Sequence, residues 1–194
     1  MAEHPFAHLF STTAGLGATR VPVIADLVDA VPVRLRGHLN GHNPQAAGLD
    51  GASVLVVFSG PSTYVSPHWR VSATRGGTYD YEEVQVHGVA RVVHTLDFFR
   101  RLVDDLSALI EPQYADVGDY PVWQTAMAPP GYVERLLPQV TPFAIEIASV
   151  RTISKLHQHF PLEDRRCIAA HLARSRREDA RSIAEKIRRC TADE

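Results

Sequence analysis

Cysteine, lysine, methionine and tryptophan are all scarce in this chain, with two of each among 194 residues. Cys167 and Cys190 both fall in a C-terminal stretch that reads as helical, so no disulfide framework is expected and the cellular setting expected is a reducing cytoplasm. No run is long and apolar enough to span a bilayer, so no membrane partner is expected. The opening Met-Ala-Glu-His-Pro-Phe lacks the basic segment and apolar run of a secretory signal, so none is expected. A net charge of −2 gives the chain as a whole no field that would gather a polyanion. Nearly all of the 20 basic residues are arginine, which leaves Lys155 and Lys186 conspicuous.

What is present is an ordinary globular balance, 45% hydrophobic and 22% charged, over a length that fits one domain with a full core. Residues 18–26 read as a strand with Pro22 near a sheet edge. Asp26 to Pro32 carry too few apolar residues to assign. Val33 to Leu39 alternate and run into an Asn40-Gly-His-Asn-Pro loop. Residues 52–58 read as a strand, a Gly60-Pro61 turn follows, and 63–66 form a second short strand. Glu83 to Val93 alternate, with Gly88 suggesting a bulge. Thr95 can cap a helix whose stripe is Leu96, Phe99, Leu102, Leu106 and Ile110. Residues 111–128 read as partly irregular, 130–137 as a short helix, and 143–150 as an alternating strand. From Pro161 to about Arg189 one or two helices turn Ile168, Leu172, Ile183 and Ile187 inward. Short strands with helices between and after them predict a small barrel. A barrel of this size fills its own interior, so a cofactor belongs in an outer groove or at a subunit interface.

The most informative stretch is 58–69, Phe-Ser-Gly-Pro-Ser-Thr-Tyr-Val-Ser-Pro-His-Trp. Pro67 holds Ser66 extended and presents His68 and Trp69 at a strand end. An imidazole fixed between a proline and a large aromatic suits a ligand to a flat cofactor; a hydrogen-bonded surface histidine is the other reading. Arg34, Arg36, His38 and Asn43 cluster at a strand-to-loop corner, where they could meet the anionic group of a cofactor or simply face water. Tyr64, Trp69 and Tyr79 could stack on a ring system or belong to the core. Alternation puts Lys155, His157 and His159 on one face if their strand continues. Lys155 could then bind a carboxylate or phosphate, and His157 could exchange protons near neutral pH. No Cys or carboxylate completes a zinc site around the two histidines. Asp80, Glu82 and Glu83 read equally as bases or as an acidic turn in water. Arg165 to Arg189 hold nine basic and three acidic residues, but no helix-turn-helix pattern, which favours a solvated face or subunit contact over nucleic acid.

Read together, these pieces resemble the PaiB-like family of flavin-binding split-barrel proteins. The resemblance runs through Pro5-Phe6-Ala7, Leu35-Arg-Gly-His-Leu with Asn43-Pro-Gln45, Phe58-Ser-Gly-Pro, Tyr64-Val-Ser-Pro-x-Trp69, Thr78-x-x-Tyr81 and Val84-x-Val86-x-Gly88. It continues through Phe143-x-Ile-x-Ile147 and Lys155-Leu-x-Gln158 to Asp164-Arg165. It implies an α+β fold, a split β-barrel with flanking helices and a helical C-terminus. One domain over 1–194 is expected, with the barrel and inserted helices in 1–160 and the helical segment in 161–194. It also implies a homodimer with FMN at the subunit interface. The departures from the family pattern are His68, the run Thr78-Tyr79-Asp80-Tyr81, and Lys155-Leu-His157-Gln-His159. A histidine in the cofactor wall gives a flavin little but gives haem b an axial ligand. In this it is similar to a haem-binding branch of the fold that closes a nitrogen–nitrogen bond, which implies N5-hydroxy-L-ornithine as substrate. On that resemblance His68 is the metal ligand, Arg36, His38, Asn43, Tyr64 and Trp69 contact the cofactor, and Lys155 and His157 serve catalysis.

Overall fold

The computed structural model describes residues 1–13, 15–72 and 75–192. Six strands close an antiparallel barrel: β1 (Phe6–Ser11), β2 (Gly17–Val28), β3 (Val31–Asn40), β4 (Ser53–Val65), β5 (Thr78–Val92) and β6 (Val140–Lys155), neighbouring one another as β1-β2-β3-β6-β5-β4. Four α-helices flank them: α1 (Leu96–Ile110), α2 (Tyr132–Leu136), α3 (Leu162–Leu172) and α4 (Glu178–Ala192). The expected α+β split barrel with a helical C-terminus is therefore the observed architecture. The chain divides into two compact units, Met1–Phe58 with Gln85–Arg151, and Ser59–Val84 with Thr152–Glu194; β4, β5 and β6 run from the first into the second. No helix among the described residues is long and apolar enough to cross a membrane.

In the first unit, alternation turns Leu9, Val21, Val23, Leu35, Val54, Val56, Val86 and Ile145 into the interior, all fully or nearly buried. Thr95 caps α1 as its sequence predicts, accepting from the Phe98 backbone N–H, and Phe99, Leu102 and Leu106 pack with Val133 of α2. Gly88 marks a close approach: a Cβ there would lie 2.3 Å from the Glu146 carbonyl oxygen of β6.

Three local expectations are corrected. The Gly60-Pro61 pair makes no turn, because both residues lie inside the single thirteen-residue strand β4. The β1 pairing covers Leu55–Val57 and stops short of Pro61, leaving a stretch where a missing N–H is tolerated. Pro22 is not at an edge, since β2 is flanked by β1 and β3; closing a barrel removes edges. The unassigned 26–32 segment is the β2–β3 hairpin, with Val28 opposite Val31 and both turn residues, Asp29 (φ 50°) and Ala30 (φ 63°), left-handed.

In the second unit, Ile168 and Leu172 of α3 and Ile183 and Ile187 of α4 are buried as expected, around Val65 and Leu156, with Trp69 packed against them. The basic side chains Arg174, Arg176, Arg177, Arg181 and Arg188 are exposed, whereas Lys186 pairs with Glu82 at 2.6 Å.

Candidate functional site

The second unit carries the His68 segment. Ser66 is extended (φ −74°, ψ 141°), and Pro67–Trp69 form one 3₁₀ turn whose cap is the Ser66 hydroxyl, accepting from the His68 N–H at 3.3 Å. The His68 side chain is exposed and bonds to no described residue. Its neighbours are not free. Trp69 stacks on His171 of α3, with ring centroids 6.0 Å apart and planes at 9°. Arg70 is buried and donates to the carbonyl oxygens of Arg75 (3.4 Å) and Gly76 (2.8 Å) while lying over the Phe160 ring. The N–H groups of Val71 and Ser72 both donate to Asp164 Oδ1, at 2.8 and 3.3 Å. The result is an outward imidazole on a braced backbone.

Tyr64 and Tyr79 stand beside each other edge to face at 5.8 Å, both about half exposed. Below Tyr79, a shallow groove of about 300 Å³ is lined by Ser59, Gly60, Ser62, Tyr81, Glu82 and Glu83. Lys155 donates its ammonium to Thr78 Oγ1. Glu82 is spoken for by Lys186 and by the Ser154 hydroxyl.

β6 ends at Lys155, and His157 takes a left-handed backbone (φ 58°), so the one-face alternation expected for Lys155, His157 and His159 fails. His157 turns inward to 1% exposure, its Nδ1 meeting Asp80 at 2.7 Å, while His159 remains exposed with its ring parallel to that of His157. Asp80, read equally as a base or as part of an acidic turn in water, is 0% exposed. An inward carboxylate needs a donor, and the imidazole supplies it. His157 Nε2 is buried with no hydrogen-bond partner among the described residues.

Arg36, His38 and Asn43 belong to the first unit, where each has a structural task. Arg36 holds Asp26 at 2.7 Å and Asp105 at 2.8 Å, and Arg34 also bonds Asp26. Burial works against charge on both Asp26 and Arg36, but the bonds between them win: Asp26 sits below its ordinary range and Arg36 above. Asn43 accepts from the Gln45 N–H and donates to Thr19 Oγ1. The buried Gln45 in turn donates to Ser11 Oγ and the carbonyl oxygen of Gly17, tying β1 to β2. The Asn43-Pro-Gln45 motif is thus a fastener of the barrel. His38 packs edge-on against Phe99, its Nδ1 buried without a partner among the described residues, and burial pushes its pKa down. Among the expected site residues, Tyr64, His68, Trp69, Lys155 and His157 belong to the second unit. Sequence reasoning missed Arg70, Asp164 and the Asp80–His157 pairing. The Asp164-Arg165 motif and the departures at Asp80 and His157 had marked the positions but not the contacts.

Comparison with known proteins agrees with this architecture. Residues 1–149 match the family described as "Putative FMN-binding domain". Protease synthase and sporulation protein PAI 2 of Bacillus subtilis is 26% identical over 152 residues, 78% of this chain and 70% of that one. Among solved structures, the FAD and heme binding protein from Mycobacterium smegmatis superposes with a TM-score of 0.55 at 16% identity, covering 79% of this chain and 67% of that one. The flavocytochrome Anf3 from Azotobacter vinelandii gives 0.55 at 12% identity, covering 78% and 62%. At these identities the structural matches speak for the fold. With a six-stranded split barrel and a family match over residues 1–149, this chain belongs to the FMN-binding domain family.

Proposed function

We propose that this chain is a piperazate synthase: it binds haem b through His68 and cyclises N5-hydroxy-L-ornithine to L-piperazate. The observation that carries this reading is the exposed His68 imidazole, unpartnered among the described residues and set on a turn whose every neighbour is tied down. An imidazole left outward on a rigid segment is a preorganised ligand. A fold neighbour named for FAD and heme binding supports the same cofactor class. Tyr64 and Tyr79 are exposed rings of the same unit that could stack on a flat cofactor. Arg36 and Asn43 spend their donors on this chain's own residues, so cofactor contact falls to the second unit.

In the reaction the α-nitrogen bonds to N5, the N5–O bond breaks, and the oxygen leaves as water; no external oxidant or reductant is consumed. Haem, when bound, supplies an iron Lewis acid that polarises the N–O bond. The chain does the rest. The Lys155 ammonium takes the substrate carboxylate, with Thr78 Oγ1 fixing its direction, and so sets which nitrogen attacks. Closure needs one proton removed from the α-ammonium and one delivered to the departing oxygen. His157 is sealed against Asp80, so His159, the exposed ring of the stacked pair, is the imidazole suited to exchange that proton. We also propose a homodimer, in which a second copy covers the exposed Tyr64 and Tyr79, to be checked by light scattering.

The family match favours a second reading, FMN in place of haem. One absorption spectrum separates the two. The first reading expects a Soret band, a positive pyridine haemochrome test, loss of the band in His68→Ala, and a product one water lighter than N5-hydroxy-L-ornithine. A yellow protein with a flavin spectrum and no iron overturns it in favour of the second.

A further inference from the structure

We infer that Asp164 is the positioning residue for His68. This rests on the reading of His68 as the iron ligand. Asp164 lies in the first turn of α3, 2% exposed, and its Oδ1 accepts from two consecutive backbone donors, Val71 N–H and Ser72 N–H. Those donors follow directly on the 3₁₀ turn that presents His68. A buried carboxylate accepting two N–H groups makes charge-assisted bonds, stronger than neutral ones. Upstream, the Ser66 hydroxyl holds the same turn, and Trp69 stacks on His171, two helical turns beyond Asp164. The segment 66–72 is thereby pinned at its start by Ser66, at its middle by α3 and at its end by Asp164, with the His68 ring turned outward.

The rest of the C-terminal motif acts at the end of β6. Gln158 accepts from the Leu156 N–H and donates to the Ser154 carbonyl oxygen, closing off the end of β6. The motif Lys155-Leu-x-Gln158 with Asp164-Arg165 lies after the residues matched by the family model. Of that motif, Asp164 holds the backbone that follows His68, which the matched part carries.

The test uses two variants of the full-length apo chain and two readouts. Amide hydrogen exchange at Val71 and Ser72 reports the brace itself. Titration with haemin, followed at the Soret band, reports the ligand. Asp164→Asn keeps the volume and the fold but loses the charge; its Val71 and Ser72 amides are expected to exchange about fivefold faster and haemin to bind about threefold more weakly. Asp164→Ala removes the shared acceptor of these two part-buried N–H groups, and haemin affinity is expected to fall about tenfold or more. Asp164→Asn that matches wild type in both exchange and affinity overturns the positioning role alone. A wild-type chain that gives no Soret band with haemin overturns the ligand reading, and with it the role of Asp164, whatever the exchange shows.

Discussion

Asp80 and His157 meet at 2.7 Å across 77 residues of chain, with side chains 0% and 1% exposed. The contact joins the start of β5 to the residue just past the end of β6, and it is made by a left-handed histidine. A pair sealed so completely holds the second unit together at the strand ends next to which Tyr79 and Lys155 project.

Breaking that pair is expected to be costly. Asp80→Ala should lose about 3 kcal/mol, because the imidazole is left buried without its partner. His157→Phe strips the buried Asp80 carboxylate of its donor and should lose at least as much, and the double variant should lose clearly less than the two added together. Urea unfolding of the three variants measures this; strict additivity would mean the pair is energetically idle.

Lys155→Gln tests the substrate's handle. The expected result is a KM for N5-hydroxy-L-ornithine raised about tenfold with kcat within about threefold of wild type, the signature of lost carboxylate binding. A collapse of kcat at unchanged KM would place Lys155 in the chemistry instead.

His38 makes the fold sensitive to acid. Burial against Phe99 lowers its folded pKa below the ordinary 6.5, so the unfolded chain binds the proton first as pH falls. Stability should therefore decline from pH 6.5 downward and level off below the lowered folded value. His38→Phe keeps the ring packing and removes the titration. The margin by which its melting temperature exceeds that of wild type should be larger at pH 5 than at pH 8. Parallel pH profiles for the two chains would contradict this.

The hairpin at Asp29-Ala30 stores strain that glycine relieves. Ala30 has φ 63°, where a Cβ crowds the backbone. Ala30→Gly is expected to raise stability by about 1 kcal/mol, read as a shift in the urea midpoint at constant slope. A destabilised variant would show that the chain-entropy term of glycine outweighs the relief.

Elements set by neighbours in sequence were legible before folding was considered. The α1 cap and stripe and the inward faces of α3 and α4 depend on spacing within one helix, and Thr95, Phe99, Ile168 and Ile187 all stand where that spacing put them. β4 was misread at Gly60-Pro61 because a dipeptide that makes a turn in isolation can also lie in a strand where the β1 pairing has ended. The Asp29-Ala30 turn was invisible because its left-handed conformation is imposed by the β2–β3 register rather than announced by glycine or asparagine.

The same division runs through the site. Residue order alone made the barrel and the family legible and singled out the His68 segment, where a proline and a following aromatic act on the chain locally. Folding chose the rest. It spent Arg36 on two carboxylates, buried His157 on Asp80, and set Asp164 beneath the His68 turn. Those choices depend on which charged groups distant strands and helices bring within hydrogen-bond reach. A buried donor or acceptor takes the partner that the closed barrel and the helix pair leave beside it, and that partner is not written in its own neighbourhood of the chain.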